Sequence, residues 1–370
     1  MKYYIIAGEA SGDLHGANLM KALYQEDPKA DIRFWGGDLM QAAGGALVKH
    51  YKDLAFMGFI EVLFNLKTIL NNISIAKKDI LEFQPDVIVF IDYPGFNLRI
   101  AKWAKTLGIK THYYISPQIW AWKENRITDI KRDVDKMYVI LPFEKDFYEN
   151  KHHYPVEFVG HPLIDAIHNQ PQVDGAIFRK ENHLNDQPII AILPGSRKQE
   201  ITKMLSLMLS IVQDFPDYQF VIAGAPSQEF SFYKKFITNN NIKFISNKTY
   251  SLLQIATAAL VTSGTATLET ALFKVPEVVC YKGSWASYQI AKRIITLKYI
   301  SLVNLIMDQE VVTELIQDDC TSQRIKEELT TILEDKHRAK LLAQYNQLEQ
   351  KLGGKGASQK TAQLIVADLK

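Results

Sequence analysis

The chain has 370 residues, 47% hydrophobic and 23% charged, with a formal net charge of +2; that length calls for two domains, and that balance excludes a strongly basic nucleic-acid binder. Its two cysteines, Cys280 and Cys320, lie far apart and form no CxxC pair, which fits a reduced, cytosolic protein and excludes a cysteine zinc site. One lysine, a very short apolar run and then Glu9 do not make a signal peptide, and no 18-residue apolar span is present to cross a membrane.

In chain order, strands are expected at 2–7, 31–35, 86–92, 109–115, 136–141 and 156–160, with helices near 13–25, 61–82, 95–107, 123–132 and 143–150. Such alternation predicts a parallel sheet covered on both faces. The first strand runs into Gly8-Glu9-Ala10-Ser11-Gly12-Asp13, which departs from GxGxxG and so supports a dinucleotide site poorly. Its glycines permit a tight turn, while Glu9, Ser11 and Asp13 bring polar side chains to the sheet edge where ligands bind. Two carboxylates there repel a phosphate, so the edge suits sugar hydroxyls; the plainer alternative is a turn with Asp13 as helix cap.

Residues 56–70 are richer in large apolar side chains than a half-buried helix needs, and Lys67, Lys77 and Lys78 follow with little acid nearby. Such a helix can lie in a membrane interface through Phe59, Leu63 and Phe64 with Lys67 facing anionic headgroups, or it can be ordinary core. A weaker relative is the 284–298 stretch with Lys292, Arg293 and Lys298. The strand at 87–91 ends in Asp92, placed to take a proton from a hydroxyl nucleophile or simply to satisfy loop N–H groups. Ser116-Pro117-Gln118-Ile119-Trp120-Ala121-Trp122 offers Trp120 as a platform for a sugar or apolar ligand, or as loop packing. Asp133-Val134-Asp135 has the form of a metal-holding DxD, but it precedes a strand, so a solvated loop is the reading taken. His161, in Gly160-His161-Pro162, either faces a cleft or is structural.

The polar segment 169–188 holds Pro171, Gly175 and Pro188 and is read as the link between an N-terminal domain (1–168) and a second domain (189–352). Strands are expected again at 189–193, 219–223, 242–245, 259–262 and 277–281. The run 189–193 ends in Pro194-Gly195-Ser196-Arg197 before a helix-spaced set from Ile201 to Val212. Strand, tight turn and helix aim free N–H groups at one point where an anion can sit, and Arg197 adds a planar cation. The run 259–262 repeats this with Ser263-Gly264-Thr265, and Glu269 lies one turn into the next helix, placed for ribose hydroxyls. Past Thr321 the chain is polar and helical; Gly353-Gly354-Lys355-Gly356 precedes a last helix in 353–370 that crosses back onto the first domain or onto a second subunit. There is no Walker or HExxH motif.

Taken together, these stretches resemble the lipid-A-disaccharide synthase family of bacterial glycosyltransferases. The resemblance is carried in order by Gly8–Asp13, Met57-Gly58-Phe59-Ile60-Glu61-Val62, Ile91-Asp92-Tyr93-Pro94, the 116–122 loop, Leu141-Pro142-Phe143-Glu144, Gly160-His161-Pro162, Leu193–Arg197, Ser263–Glu269 and Tyr299–Leu305. It implies an α/β fold of GT-B type, two Rossmann-like, doubly wound parallel-sheet domains facing across a cleft. It implies a hexosyltransferase with no cofactor and no essential metal, joining UDP-2,3-diacylglucosamine to 2,3-diacylglucosamine 1-phosphate as a β-1,6 disaccharide. The partners implied are acylated sugars, the cytoplasmic face of the inner membrane and a second copy exchanging C-terminal elements, with no nucleic acid. On that basis Asp92, Glu9 and Arg197 are the catalytic candidates; Gly195, Ser196, Arg197, Ser263, Gly264, Thr265, Glu269 and Asn304 bind the donor; Ser11, Asp13, Trp120 and His161 meet the acceptor. Two departures stand out: Gly95, where relatives often carry a second acid, and Val303, where proline is common. A UDP-sugar 2-epimerase of the same plan and a non-catalytic nucleotide-sugar or lipid carrier are the alternatives.

Overall fold

A computed structural model describes residues 1–54, 66–225, 228–283 and 298–370. The expected membrane residues Phe59, Leu63 and Phe64 lie outside the described residues, as does most of the 284–298 stretch; Lys67 falls in the first turn of the Leu66–Phe83 helix.

The chain forms two compact units, Met1–His168 with Leu352–Lys370, and Asn169–Lys351. The first holds a seven-stranded, all-parallel sheet: β1 (Lys2–Ala7), β2 (Asp31–Gly36), β3 (Ala46–His50), β4 (Val87–Ile91), β5 (Lys110–Tyr114), β6 (Lys136–Val139) and β7 (Glu157–Phe158), in the order β3-β2-β1-β4-β5-β6-β7. The second holds a six-stranded parallel sheet: β8 (Ile189–Leu193), β9 (Gln219–Gly224), β10 (Ile242–Ser246), β11 (Ala258–Thr262), β12 (Glu277–Tyr281) and β13 (Glu314–Ile316), in the order β10-β9-β8-β11-β12-β13. Both orders reverse direction beside their first strand, so each sheet has a topological switch point, at β1/β4 and at β8/β11, where open α/β sheets bind ligands.

The four strands flanking these switch points are continuous apolar runs, and β4, β8 and β11 are buried along their whole length. Burial on both faces is what a central parallel strand requires, because helices cover each side. The short β3 and β13 were not anticipated: each lies at a sheet edge and is mostly half-buried or exposed. The segment 169–188 is packed onto the second unit, with Phe178 in its core and the Val173 N–H donating to Gln254 at 2.9 Å.

The last helix, Ala357–Leu369, packs on the Ala10–Glu26 helix of its own chain's first unit. Asp165 accepts the Gly356 and Ser358 N–H groups at 2.7 and 3.0 Å, and Asp368 reaches His112 Nε2 at 3.2 Å. The returning chain passes so close to the outgoing one that a Cβ on Gly353, at φ +89, would lie 3.1 Å from the Gly160 Cα. That crossing and that left-handed backbone together call for glycine.

Candidate functional site

The switch point of the first unit is built from the turns after β1 and β4. Gly8 lets the Tyr93 ring lie against the first turn; a Cβ there would be 2.4 Å from the ring. Asp92 and Tyr93 are both left-handed, at φ +43 and +50. Two successive non-glycine residues in that region cost energy and persist only where neighbours hold them. Here the Asn97 amide donates to the Asp92 carbonyl at 2.6 Å, and the Tyr113 hydroxyl donates to it at 2.5 Å. Asn97 also sends longer bonds to the Ile91 and Ile6 carbonyls, at 3.4 and 3.5 Å, tying the two strand ends together.

This clamp aims the Asp92 side chain into a place where burial first, and the Glu9 carboxylate second, raise its pKa from 3.8 to about 6, with the Tyr93 N–H opposing. A carboxyl held near neutrality is suited to receive a proton from a hydroxyl. Glu9 and Ser11 are exposed on the same edge.

Asp13, expected to meet an acceptor sugar, is buried. Its carboxylate accepts the N–H groups of Gly37, Leu39 and Met40 at 2.7, 3.1 and 3.0 Å, so it caps the Asp38–Ala43 helix and not its own. His161 is also interior: Nδ1 accepts the Leu163 N–H at 3.2 Å, and burial, with His15 nearby, lowers its pKa to about 3. A neutral, enclosed imidazole braces the turn before the Pro162–His168 helix. Trp120 is half-buried, edge-on to Phe143, with its indole N–H donated to Glu144 at 3.1 Å. Glu144 is the residue that sequence reasoning missed. It also accepts Ser116 Oγ at 2.6 Å and the Ile140 and Leu141 N–H groups, so it ties the 116–120 loop to the sheet. Neither acid of the 133–135 pair is free in solvent: Arg132 binds Asp133, and Asp135 accepts the Thr111 N–H and hydroxyl. Among the described residues, no cluster of three metal-ligating side chains exists.

In the second unit, the turns after β8, β9 and β11 enclose a cavity of about 410 Å³. Gly195, Ser196, Arg197, Ser263, Gly264, Thr265 and Glu269 all line it. Gly195 takes φ +101, the turn that lets the chain pass from strand to the Lys198–Leu209 helix. Gly264 and Thr265 open the Thr265–Leu272 helix and are exposed, so N–H groups of its first turn face an incoming anion. Ser263 works from behind: its N–H donates to the Cys280 carbonyl at 3.2 Å and its hydroxyl to Ile300 at 3.0 Å. Glu269 accepts the Tyr250 hydroxyl at 2.8 Å through Oε1, and burial raises its pKa.

One feature of this cavity was not foreseen. Glu200 lies over the turn: Oε2 accepts the Ser196 N–H at 3.1 Å, and a Cβ on Gly195 would be 2.2 Å from that oxygen. A carboxylate thus occupies a donor that a phosphate would use.

Asn304, expected to orient sugar and phosphate, is fully buried. Its amide donates to Val312 and Glu314 at 2.8 and 2.9 Å, and its oxygen accepts the Val311 and Val312 N–H groups at 2.8 and 3.0 Å. All of its hydrogen-bonding capacity shapes the chain before β13.

A family model described as lipid-A-disaccharide synthetase matches residues 3–367. The lipid-A-disaccharide synthase of Coxiella burnetii is 39% identical over 367 residues, covering 98% of this chain and 96% of the relative. This chain belongs to the lipid-A-disaccharide synthase family. It is accordingly a glycosyltransferase of lipid A biosynthesis, with the GT-B type of fold. Among solved structures, the S. aureus MnaA–UDP co-structure covers 100% of this chain and 97% of its own at TM-score 0.70 and 14% identity. The Neisseria meningitidis UDP-GlcNAc 2-epimerase bound to UDP-GlcNAc covers 100% and 99% at TM-score 0.65 and 13% identity. At such identities the likeness is one of fold alone. Among the described residues, no helix is long and apolar enough to cross a membrane.

Proposed function

We propose that this family member is an inverting enzyme that transfers 2,3-diacylglucosamine from its UDP derivative to 2,3-diacylglucosamine 1-phosphate, giving the β-1,6 disaccharide 1-phosphate and UDP. Family membership supports the reaction class; the observation that carries the mechanism is Asp92, a carboxyl raised to about 6 at the switch point of the first unit. The acceptor's 6-hydroxyl attacks the anomeric carbon of the donor, its proton passes to Asp92, and the bond to the UDP oxygen breaks in the same displacement. Negative charge grows on the departing diphosphate, where Arg197 and the first turn of the Thr265–Leu272 helix stabilise it. Glu269 takes the ribose hydroxyls. Glu9 and Ser11 orient the acceptor. No metal or other cofactor is assigned a part.

The apolar 56–70 stretch and its lysines favour peripheral attachment to the inner face of the inner membrane, where acylated substrates reside. Replacing Phe59, Leu63 and Phe64 with serine should release the protein from anionic vesicles; loss of helical circular dichroism in that variant would return those residues to the core. A homodimer with exchanged C-terminal elements would make the Asp165 contacts to Gly356 and Ser358 in trans, which light scattering of the full chain would reveal by mass. The deciding experiment is mass spectrometry of products from UDP-diacylglucosamine and its 1-phosphate acceptor. A disaccharide 1-phosphate is expected; epimerised nucleotide sugar, or UDP release unaffected by acceptor, would refute the transferase.

A further inference from the structure

Beside the helix that follows Asp92 is a second recess, of about 260 Å³, on the first unit. The Pro94–Thr106 helix supplies Gly95, Leu98, Arg99 and Lys102 to it, spaced as one helical face, and the Glu124–Arg126 turn supplies Arg126. Asp129 and Asp133 also line it, but Arg132 engages both, donating to Asp129 at 2.8 Å and to Asp133 at 2.7 and 2.5 Å. Arg99, Lys102 and Arg126 remain, and among the described residues no carboxylate is paired with any of the three. A Cβ on Gly95 would meet nothing within 4 Å, so the recess is open along the flank of this helix from its first turn. Beside Arg126, Trp122 is 48% exposed, with the Lys123 ammonium 4.3 Å and the Arg126 guanidinium 5.7 Å from its ring. An exposed tryptophan flanked by cations is the pairing found where lipid meets water.

We propose that this recess is the subsite for the phosphate of the lipid-linked acceptor, with Arg99, Lys102 and Arg126 as its cations and Trp122 against the first carbons of an acyl chain. The inference rests on the transferase reading above and adds the acceptor's anchor to it. Arg99 stands five residues beyond the helix start, roughly 7.5 Å of rise. A hexose with its reacting hydroxyl at Asp92 therefore reaches the recess with its opposite end, where the phosphate is carried. Guanidinium forks match phosphate oxygens in pairs, which a hydroxyl at that carbon does not offer.

The test is the double variant Arg99→Gln/Lys102→Gln, both exposed positions, checked for an unchanged melting temperature. KM for the 1-phosphate acceptor should rise roughly 10- to 100-fold, the range for losing charge-assisted hydrogen bonds. KM for the UDP-sugar should stay the same, and preference for the 1-phosphate over a 1-hydroxy acceptor should collapse by the same factor. Glucosamine 1-phosphate titrated into the full-length protein gives an independent readout. If the wild type forms no disaccharide, the transferase reading fails, yet saturable glucosamine 1-phosphate binding that the variant loses still supports the recess. An unchanged acceptor KM overturns the inference. So does lost sedimentation with phosphatidylglycerol vesicles at an unchanged acceptor KM in detergent micelles, which would assign the cations to bilayer headgroups.

Discussion

Replacing Asp92 with asparagine separates its chemistry from its strain. The residue sits at φ +43, where alanine is disfavoured but asparagine is tolerated, and its carbonyl is what Asn97 and Tyr113 hold. Asp92→Asn therefore keeps the clamp and removes only the proton acceptor. Loss of a general base should lower kcat by roughly 10²- to 10⁴-fold with UDP affinity unchanged. Wild-type kcat should fall as pH drops through about 6, because the protonated carboxyl accepts nothing. Stability should move the other way. The pKa rises from 3.8 to about 6 on folding, so the folded state holds the proton more tightly and loses stability as pH climbs through that window. Each tenfold in proton affinity is about 1.4 kcal/mol, so the ionised carboxylate costs up to about 3 kcal/mol above pH 6. The asparagine variant, free of that cost, should melt higher than wild type at pH 8, with the gap closing toward pH 4. Differential scanning calorimetry across pH, beside product assays, checks both halves. Near-normal turnover would remove Asp92 from the base role, and a lower melting temperature at pH 8 would show that the buried charge is stabilised by something other than what surrounds it here.

Two further substitutions probe other parts of the site. Glu200→Gln takes a negative charge off the Ser196 N–H, and like-charge relief of about 1–2 kcal/mol should tighten UDP binding roughly 5- to 30-fold by calorimetry; weaker binding would mean that Glu200 braces the turn for the ligand. Asp13→Ala leaves three backbone N–H groups without their acceptor and should cost about 3 kcal/mol or more in urea unfolding; full stability with a raised acceptor KM would return Asp13 to the sugar site.

Much of the fold was legible because central parallel strands announce themselves. The runs at 3–7, 87–91, 189–193 and 258–262 are apolar without alternation, and each stops at a turn rich in glycine or small polar residues. Those turns are also where each sheet's order reverses, so reading the strands located the switch point of each unit. What stayed hidden was the use to which a polar residue is put. Asp13 stands in the same stretch as Glu9, and His161 and Asn304 lie, like Arg197 and Glu269, at or just inside a helix start, so nothing local distinguishes them. The difference is made by distant partners: Asp13 faces Gly37, Leu39 and Met40, and Asn304 faces Val311 and Val312, contacts fixed by how helices and loops pack. A polar side chain near a switch point is drawn to any unpaired backbone group within reach, because leaving such a group buried and unbonded is costly.

Glu144 carries the same point further. Its position in Leu141-Pro142-Phe143-Glu144 reads as an ordinary first-turn carboxylate of a short helix, and its side chain does cap that turn at Leu141. Yet it also collects Ser116 and Trp120 from a loop over twenty residues upstream. Burial alone would drive such a carboxyl toward its neutral form, and the four donors around it work against that. The loop bearing Trp120 and Trp122 is thereby tied to this carboxylate, with the Tyr148 hydroxyl donating to the Pro117 carbonyl as a second hold. Glu144→Ala should then loosen both tryptophans together, red-shifting Trp fluorescence and weakening acceptor binding while leaving UDP binding in the other unit alone. An unshifted spectrum would mean that the loop is held by its apolar contacts, with Phe143 against Trp120 foremost among them.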